Sequence, residues 1–221
     1  MSYGIILETW GPYALFTRPE MKVERVSYDV MTPSAARAIV EAFHWKPAIK
    51  WNIVRIHVLN EILFTNIKRN EVSEKIPIGN VHSAMRTGDI DKLWLDTSAC
   101  RQQRFTMVLK DVRYVIEAEF ELTDKAQADD TPEKHIEIAR RRMRKGQTFN
   151  HPYFGCREFS ANCRFLEDQA EIPQSFYAGQ DRMNLGLMLY DIDYANQRMP
   201  MFFRAAMTNG VVNVKDCEVL R

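Results

Sequence analysis

Four residues of this chain have types suited to phosphate chemistry: His44 and Lys46 in the run Phe43-His-Trp-Lys-Pro47, and Lys134 with His135 far downstream. An imidazole titrates near neutral pH, so it can take or give a proton under working conditions. A lysine ammonium can offset the charge that builds on a pentacoordinate phosphorus. A helix N-terminus adds unpaired N–H groups and partial positive charge, both suited to a phosphate. These are the parts that drive a ribose 2′-hydroxyl onto the adjacent phosphate, giving a 2′,3′-cyclic phosphate and a 5′-hydroxyl without a metal. Each residue also has an ordinary role. A histidine in a first helical turn is commonly solvated, and His44 at a helix end is favoured there by the dipole alone. His57 lies on an outward strand face, His82 and His151 lie in loops with no identifiable partner, and all three are assigned no role.

The four residues meet only if the elements carrying them are brought together. Tyr3 to Thr9 reads as a strand, followed by a loop rich in aromatics and proline from Trp10 to Pro19. Thr32-Pro33 opens a helix, with Thr as N-cap and Pro at the first helical position. Ala36, Ile39, Val40 and Phe43 supply its buried face, and Pro47 ends it close to His44. Trp51 to Leu59 is a strand, and Asn60 to Asp111 a weakly patterned insertion holding a hairpin and loops. Val112 to Leu122 alternates cleanly, with Tyr114, Ile116, Ala118 and Phe120 on one face. Thr131-Pro132 opens a second helix with the same cap chemistry, Gly146 closes it, and Tyr153 to Phe165 reads as a fourth strand.

Strand, helix and strand, twice over, predict an α+β protein with a ferredoxin-like (RRM-like) N-terminal domain over 1–166. Its pseudo-twofold packs the two helices antiparallel, so the end of the first lies near the start of the second. His44, Trp45 and Lys46 then fall beside Lys134 and His135. The acidic stretch Glu167 to Pro173 marks a boundary. Beyond it, 167–221 predicts a small C-terminal antiparallel β-sheet, with Asn209-Gly210 as a type I′ hairpin turn.

Bulk composition carries less. The chain has 221 residues, 46% hydrophobic and 27% charged, with a net charge of +1, so a nucleic-acid partner must be argued from local charge. From Lys134 to Arg164 there are eight Lys or Arg (134, 140, 141, 142, 144, 145, 157 and 164) against Glu137 and Glu158. Lys46, Arg140, Arg141, Arg144, Lys145 and Arg157 are therefore candidate phosphate contacts. Phe149, Tyr153 and Phe154 are candidates for base stacking. The plain alternative is a solvated helix face whose arginines pair with nearby glutamates. Cysteines 100, 156, 163 and 217 lack metal-ligand or disulfide spacing and read as reduced thiols. No signal peptide or long apolar run is present, which predicts a soluble cytoplasmic protein with no membrane association. Nucleotide-loop, zinc-protease and nucleophile-elbow motifs are absent, and no carboxylate cluster suggests a two-metal nuclease.

Four separated segments carry a resemblance: Trp10-Gly-Pro-Tyr-Ala-Leu-Phe-Thr-Arg-Pro-Glu20, Phe43-His-Trp-Lys-Pro-Ala-Ile49, Lys134-His135 and Gly155-Cys-Arg-Glu-Phe159. They occur in matching order over essentially the whole chain. The sequence resembles the CRISPR-associated protein five family, subtype I-C, within the repeat-associated mysterious protein superfamily. The resemblance implies an endoribonuclease that cuts precursor CRISPR RNA at the base of its repeat hairpin. It also implies a subunit that keeps the 5′ handle alongside the backbone and large subunits of a surveillance complex, with no cofactor. The family's catalytic Lys-His pair falls on Lys134 and His135. A third catalytic position, often Tyr in the family, falls on His44. Other subtypes bind the 5′ handle without cutting, which is the competing expectation.

Overall fold

The computed structural model describes residues 4–21, 23–194 and 196–221. Strand β1, Gly4–Ala14, runs well past the predicted end, through Trp10-Gly-Pro-Tyr. It survives there because a close packing contact requires Gly11. A Cβ at that position would lie 2.8 Å from the Ser160 carbonyl and 3.0 Å from the Phe154 ring. Tyr3 lies outside the described residues.

After the two-residue strand β2, Arg25–Val26, helix α1 spans Pro33–Phe43. Thr32 Oγ1 accepts from the Ala35 N–H at 3.3 Å, a cap worth about 1 kcal/mol. Its inward stripe is Pro33, Ala36, Ile39, Val40 and Phe43, close to the predicted one. β3 follows at Ile49–Val58.

The predicted insertion is a long hairpin, β4 (Leu63–Val72) against β5 (Arg101–Leu122), with helix α2 (Ile78–Thr87) in the connection between them. β4 has no fully buried residue, and its half-buried face, Thr65, Ile67, Arg69 and Glu71, is mostly polar, so no apolar alternation marks it in the sequence. The clean alternation at Val112 to Leu122 is only the more buried half of a strand twice that length.

α3, Pro132–Arg144, is capped by Thr131 Oγ1 accepting from the Lys134 N–H, and Gly146 adopts φ 63° just beyond its end. The expected strand from Tyr153 is shorter: β6 covers only Asn162–Leu166. Residues 153–161 instead turn back on themselves around Gly155, whose φ is 78° and whose absent Cβ would overlap the Leu15 carbonyl. Phe154 is buried, its N–H donating to the Phe159 carbonyl and its carbonyl accepting from Leu15 N–H.

Four further strands close the chain: β7 (Met183–Asp193), β8 (Met199–Thr208), β9 (Val211–Asn213) and β10 (Val219–Leu220). Asn209 and Gly210 both take positive φ, 51° and 78°, as a type I′ turn requires. The strands form one sheet in the order β10-β8-β9-β3-β5-β1-β6, with β2 and β4 attached to β5 and β7 to β8. The pairings are antiparallel except β2 with β5. The architecture is thus a mixed α/β protein built on a large antiparallel sheet with few helices.

β9 hydrogen-bonds β3, so the C-terminal strands continue the same ladder as the N-terminal ones. Phe203, Met207 and Val212 also share a buried cluster with Leu7, Ile116 and the inner faces of α1 and α3. A small second cluster, Leu59, Val115 and Leu166, lies apart from it. No helix among the described residues is long and apolar enough to cross a membrane.

Candidate active site

The end of α1 and the start of α3 come together. His44 leaves the helix in extended conformation, and its carbonyl accepts from the indole N–H of fully buried Trp51 at 2.8 Å. That bond fixes the backbone where the ring must turn inward. The ring stacks on His135 of α3 with centroids 5.3 Å apart and planes at 30°. His44 Nε2 lies 3.0 Å from His135 Nδ1, and His135 Nε2 lies 3.0 Å from Asp130 Oδ1. Arg142, two turns along α3, donates to the Phe43 carbonyl at 3.1 Å and approaches His44 Nδ1 at 3.4 Å.

These partners dictate one order of protons. Guanidinium can only donate, so His44 Nδ1 accepts and its Nε2 carries hydrogen. That N–H donates to His135 Nδ1, which leaves the hydrogen of His135 on Nε2, pointing at the Asp130 carboxylate. Both rings are neutral in this arrangement. Burial above all, with the cations Arg142 and Lys46 adding to it, lowers the His44 pKa to about 4, in keeping with a neutral ring.

The cationic groups sit around the same carboxylates. Lys134 Nζ donates to Asp129 Oδ2 at 2.8 Å and to the Asp129 carbonyl at 3.0 Å, and this pairing raises the lysine's pKa and lowers the aspartate's. Lys46 Nζ stands 4.0 Å from Asp130 Oδ1. Asp130 Oδ2 accepts from Gln127 N–H at 3.1 Å, the main reason its pKa falls, with His135 adding to it. Exposure divides the cluster. His135 and His44 are 0% and 2% exposed, whereas the lysine side chains are 38% (Lys134) and 49% (Lys46) exposed. No ring nitrogen of the pair faces solvent, and Asp130 covers His135 Nε2.

All four residues singled out for phosphate chemistry are therefore neighbours. The candidate phosphate contacts divide. Arg144 is held by Glu167 at 2.7 and 2.8 Å and lies over the Phe165 ring. Arg140 is engaged by the Gly4 carbonyl at 3.2 Å and by Glu137. Arg141, Lys145 and Arg157 are exposed, with no side-chain partner among the described residues. Of the stacking candidates, Phe154 is in the core, while Phe149 and Tyr153 reach the surface. Asp129, Asp130 and Arg142 were not singled out by sequence. The available signal was a pair of acids directly before a Thr-Pro helix start, where they face whatever the first turn presents. Among the described residues, no three His, Cys, Asp or Glu side chains group as metal ligands would, and all four cysteines are free.

A large antiparallel sheet with two helices meeting at a lysine–histidine cluster is, in this chain, the build of a CRISPR-associated protein. The family model described as CRISPR-associated protein (Cas_Cas5) matches residues 4–215, and the chain belongs to that family. It is 49% identical over 215 residues to the CRISPR pre-crRNA endoribonuclease Cas5d of Mannheimia succiniciproducens, covering 97% of this chain and 96% of that one. It is 37% identical over 227 residues to the protein of the same name from Thermus thermophilus, covering 94% and 90%. A solved crystal structure of a CRISPR-associated protein shares the fold, with a TM-score of 0.70 at 24% identity over 99% of this chain and 96% of that one. The resemblance carried by the four sequence segments is borne out.

Proposed function

We propose that this protein is a metal-independent endoribonuclease that cleaves precursor CRISPR RNA within its repeat and retains the 5′ handle. Two relatives named as CRISPR pre-crRNA endoribonucleases, each matched over at least 90% of its length, support the activity. The observation that carries the site is the convergence of Lys46, Lys134, His135 and His44 on one small region across two helix ends. The strand order β6-β1-β5-β3, with α1 and α3 as crossovers, supports a ferredoxin-like organisation of 1–166, to which 167–221 adds the C-terminal strands. Cytoplasmic location, and assembly with the backbone and large subunits of a type I-C complex, belong to the same reading.

The chemistry starts with charge. The scissile phosphate approaches the two exposed ammonium groups, replacing Asp129 on Lys134 and drawing Asp130 away from Lys46 and His135. His135 Nε2 is then the ring atom open to RNA. The reaction moves one proton net, from the 2′-hydroxyl to the departing 5′ oxygen. His135 Nε2, which carries hydrogen in this tautomer, donates it to the 5′ oxygen, and the 2′-hydroxyl proton passes to solvent, which reprotonates Nε2. Lys134, with Lys46 beside it, offsets the charge on phosphorus. His44 holds the ring and tautomer of His135 from behind, as buried partners do for catalytic imidazoles.

The burial of both imidazoles favours a second reading, a subunit that binds the 5′ handle without cutting. Single-turnover cleavage of a labelled repeat RNA separates the two. The nuclease reading expects His135→Ala and Lys134→Ala each to slow cleavage by about 10²- to 10⁴-fold with RNA binding largely retained. No cleavage by the unaltered protein, with tight binding of the 5′ handle, would leave the binding subunit.

A further inference from the structure

Trp45 lies between His44 and Lys46 in the chain, yet unlike the buried His44 ring it is 57% exposed. It borders a groove of about 320 Å³ formed by the last turns of α1 and the segment after α3. The opposite wall holds Phe149, 90% exposed, with Asn150, His151 and Tyr153. Phe149 is fixed in place: its N–H donates to the Ala42 carbonyl at 2.8 Å, which ties this segment to α1. The side chains of Asn150 and His151 have no hydrogen-bond partner among the described residues, so their polar atoms are open to a ligand.

A single exposed aromatic needs no explanation. Three aromatic residues on one groove, two of them largely exposed and one adjoining a candidate catalytic residue, do. Aromatic faces of this kind stack on unpaired bases, and an amide and an imidazole at the rim can meet a base's hydrogen-bonding edge. Glu41, also on the groove, repels a phosphate, whereas Lys46 next to Trp45 attracts one. A nucleotide fits this polarity in one sense, base toward the groove and phosphate toward Lys46 and Lys134.

We infer that the Trp45–Phe149 groove is a base-binding subsite, which seats an unpaired nucleotide of the repeat RNA beside the scissile phosphate. The inference rests on the endoribonuclease reading and adds a specificity element to it. It makes the scissile linkage one flanked by an unstacked base, since a base held in a duplex cannot enter.

The test uses the full-length protein and a repeat RNA carrying a single 2′-deoxy residue at the scissile nucleotide, so that binding is read without cleavage. Trp45→Ala and Phe149→Ala are each expected to raise Kd by about 5- to 150-fold, the span for removing one stacked base. Trp45→Phe should restore most of the affinity. On cleavable RNA the alanine variants should raise KM more than they lower kcat. Met85→Ala, an exposed apolar residue on α2, serves as the control and should change neither. If the unaltered protein binds the RNA and both alanine variants bind equally well, the subsite is refuted. If the unaltered protein does not bind repeat RNA, it is the underlying reading that fails.

Discussion

His44 Nε2 and His135 Nδ1 are 3.0 Å apart with both rings out of solvent, so the two imidazoles are linked in series and are not set side by side on an open surface. In the proposed mechanism RNA reaches only His135, once Asp130 withdraws. His44 should therefore matter through the ring it holds. His44→Ala is expected to cost about 10- to 100-fold in kcat, the usual effect of removing a supporting partner, with KM little changed. The pH–rate profile should show no limb from His44 between pH 5 and 8, because its pKa is about 4. Disappearance of a limb in that range from the His44→Ala profile would contradict the serial arrangement.

The same low pKa makes a prediction about stability. The unfolded chain binds a proton at His44 near pH 6.5, whereas the folded protein resists it until about pH 4. Stability from this group is fully present above pH 6.5 and is lost as pH falls toward 4, by up to about 3 kcal/mol. Urea titrations at pH 7.0 and 4.5 should show a larger drop for the unaltered protein than for His44→Gln. Equal drops would mean that His44 is not held neutral.

Asp129 and Asp130 occupy the cations that a phosphate would use. Neutralising them as Asn should tighten binding of a 2′-deoxy repeat RNA by about 10-fold at low salt, an effect screened as ionic strength rises. Asp124→Asn, in the same loop, controls for net charge alone. If Asp130→Asn instead lowers kcat by about 100-fold without tightening binding, Asp130 is a fixed orienting partner of His135 during the reaction and does not yield to RNA.

Intramolecular pairing sorts the basic residues of α3. Arg140 and Arg144 are engaged by the Gly4 carbonyl, Glu137 and Glu167, while Arg141 and Lys145 are open. Replacing Arg141 and Lys145 by Gln should flatten the salt dependence of RNA binding by roughly 0.7 to 0.9 log units for each phosphate that is no longer neutralised. The pair Arg140 and Arg144 should change it less. The reverse ranking would show that RNA competes those ion pairs open.

The two capped helices were legible in the sequence because they rest on strong local signals, Thr-Pro starts and a 3.6-residue apolar period, and the meeting of His44 with His135 followed from the doubled strand–helix–strand order that sets one helix end beside the other. β4 was not, because its half-buried face, Thr65, Ile67, Arg69 and Glu71, is mostly polar and shows no apolar period. The length of β6 was misread because Phe159, Ala161 and Cys163 alternate as a strand would, although the turn at Gly155 takes Phe159 and Ala161 out of the ladder and leaves only Asn162–Leu166 in it. Burial of the two histidines escaped for a related reason. A polar residue beside Ile136 and Ala139 on a helix stripe looks solvated until its partners, Asp130 and His44, are known.

The central claim is that the RNA's own 2′-hydroxyl attacks at the Lys134–His135 site without a metal. The most direct measurement is single-turnover cleavage in EDTA of two repeat RNAs that differ by one 2′-deoxy substitution 5′ of the scissile phosphate. The ribose substrate should be cut to a 2′,3′-cyclic phosphate and a 5′-hydroxyl, and the deoxy substrate should bind with similar affinity and remain intact. Cleavage of the deoxy substrate, or cleavage of the ribose substrate only when Mg²⁺ is restored, would contradict the account.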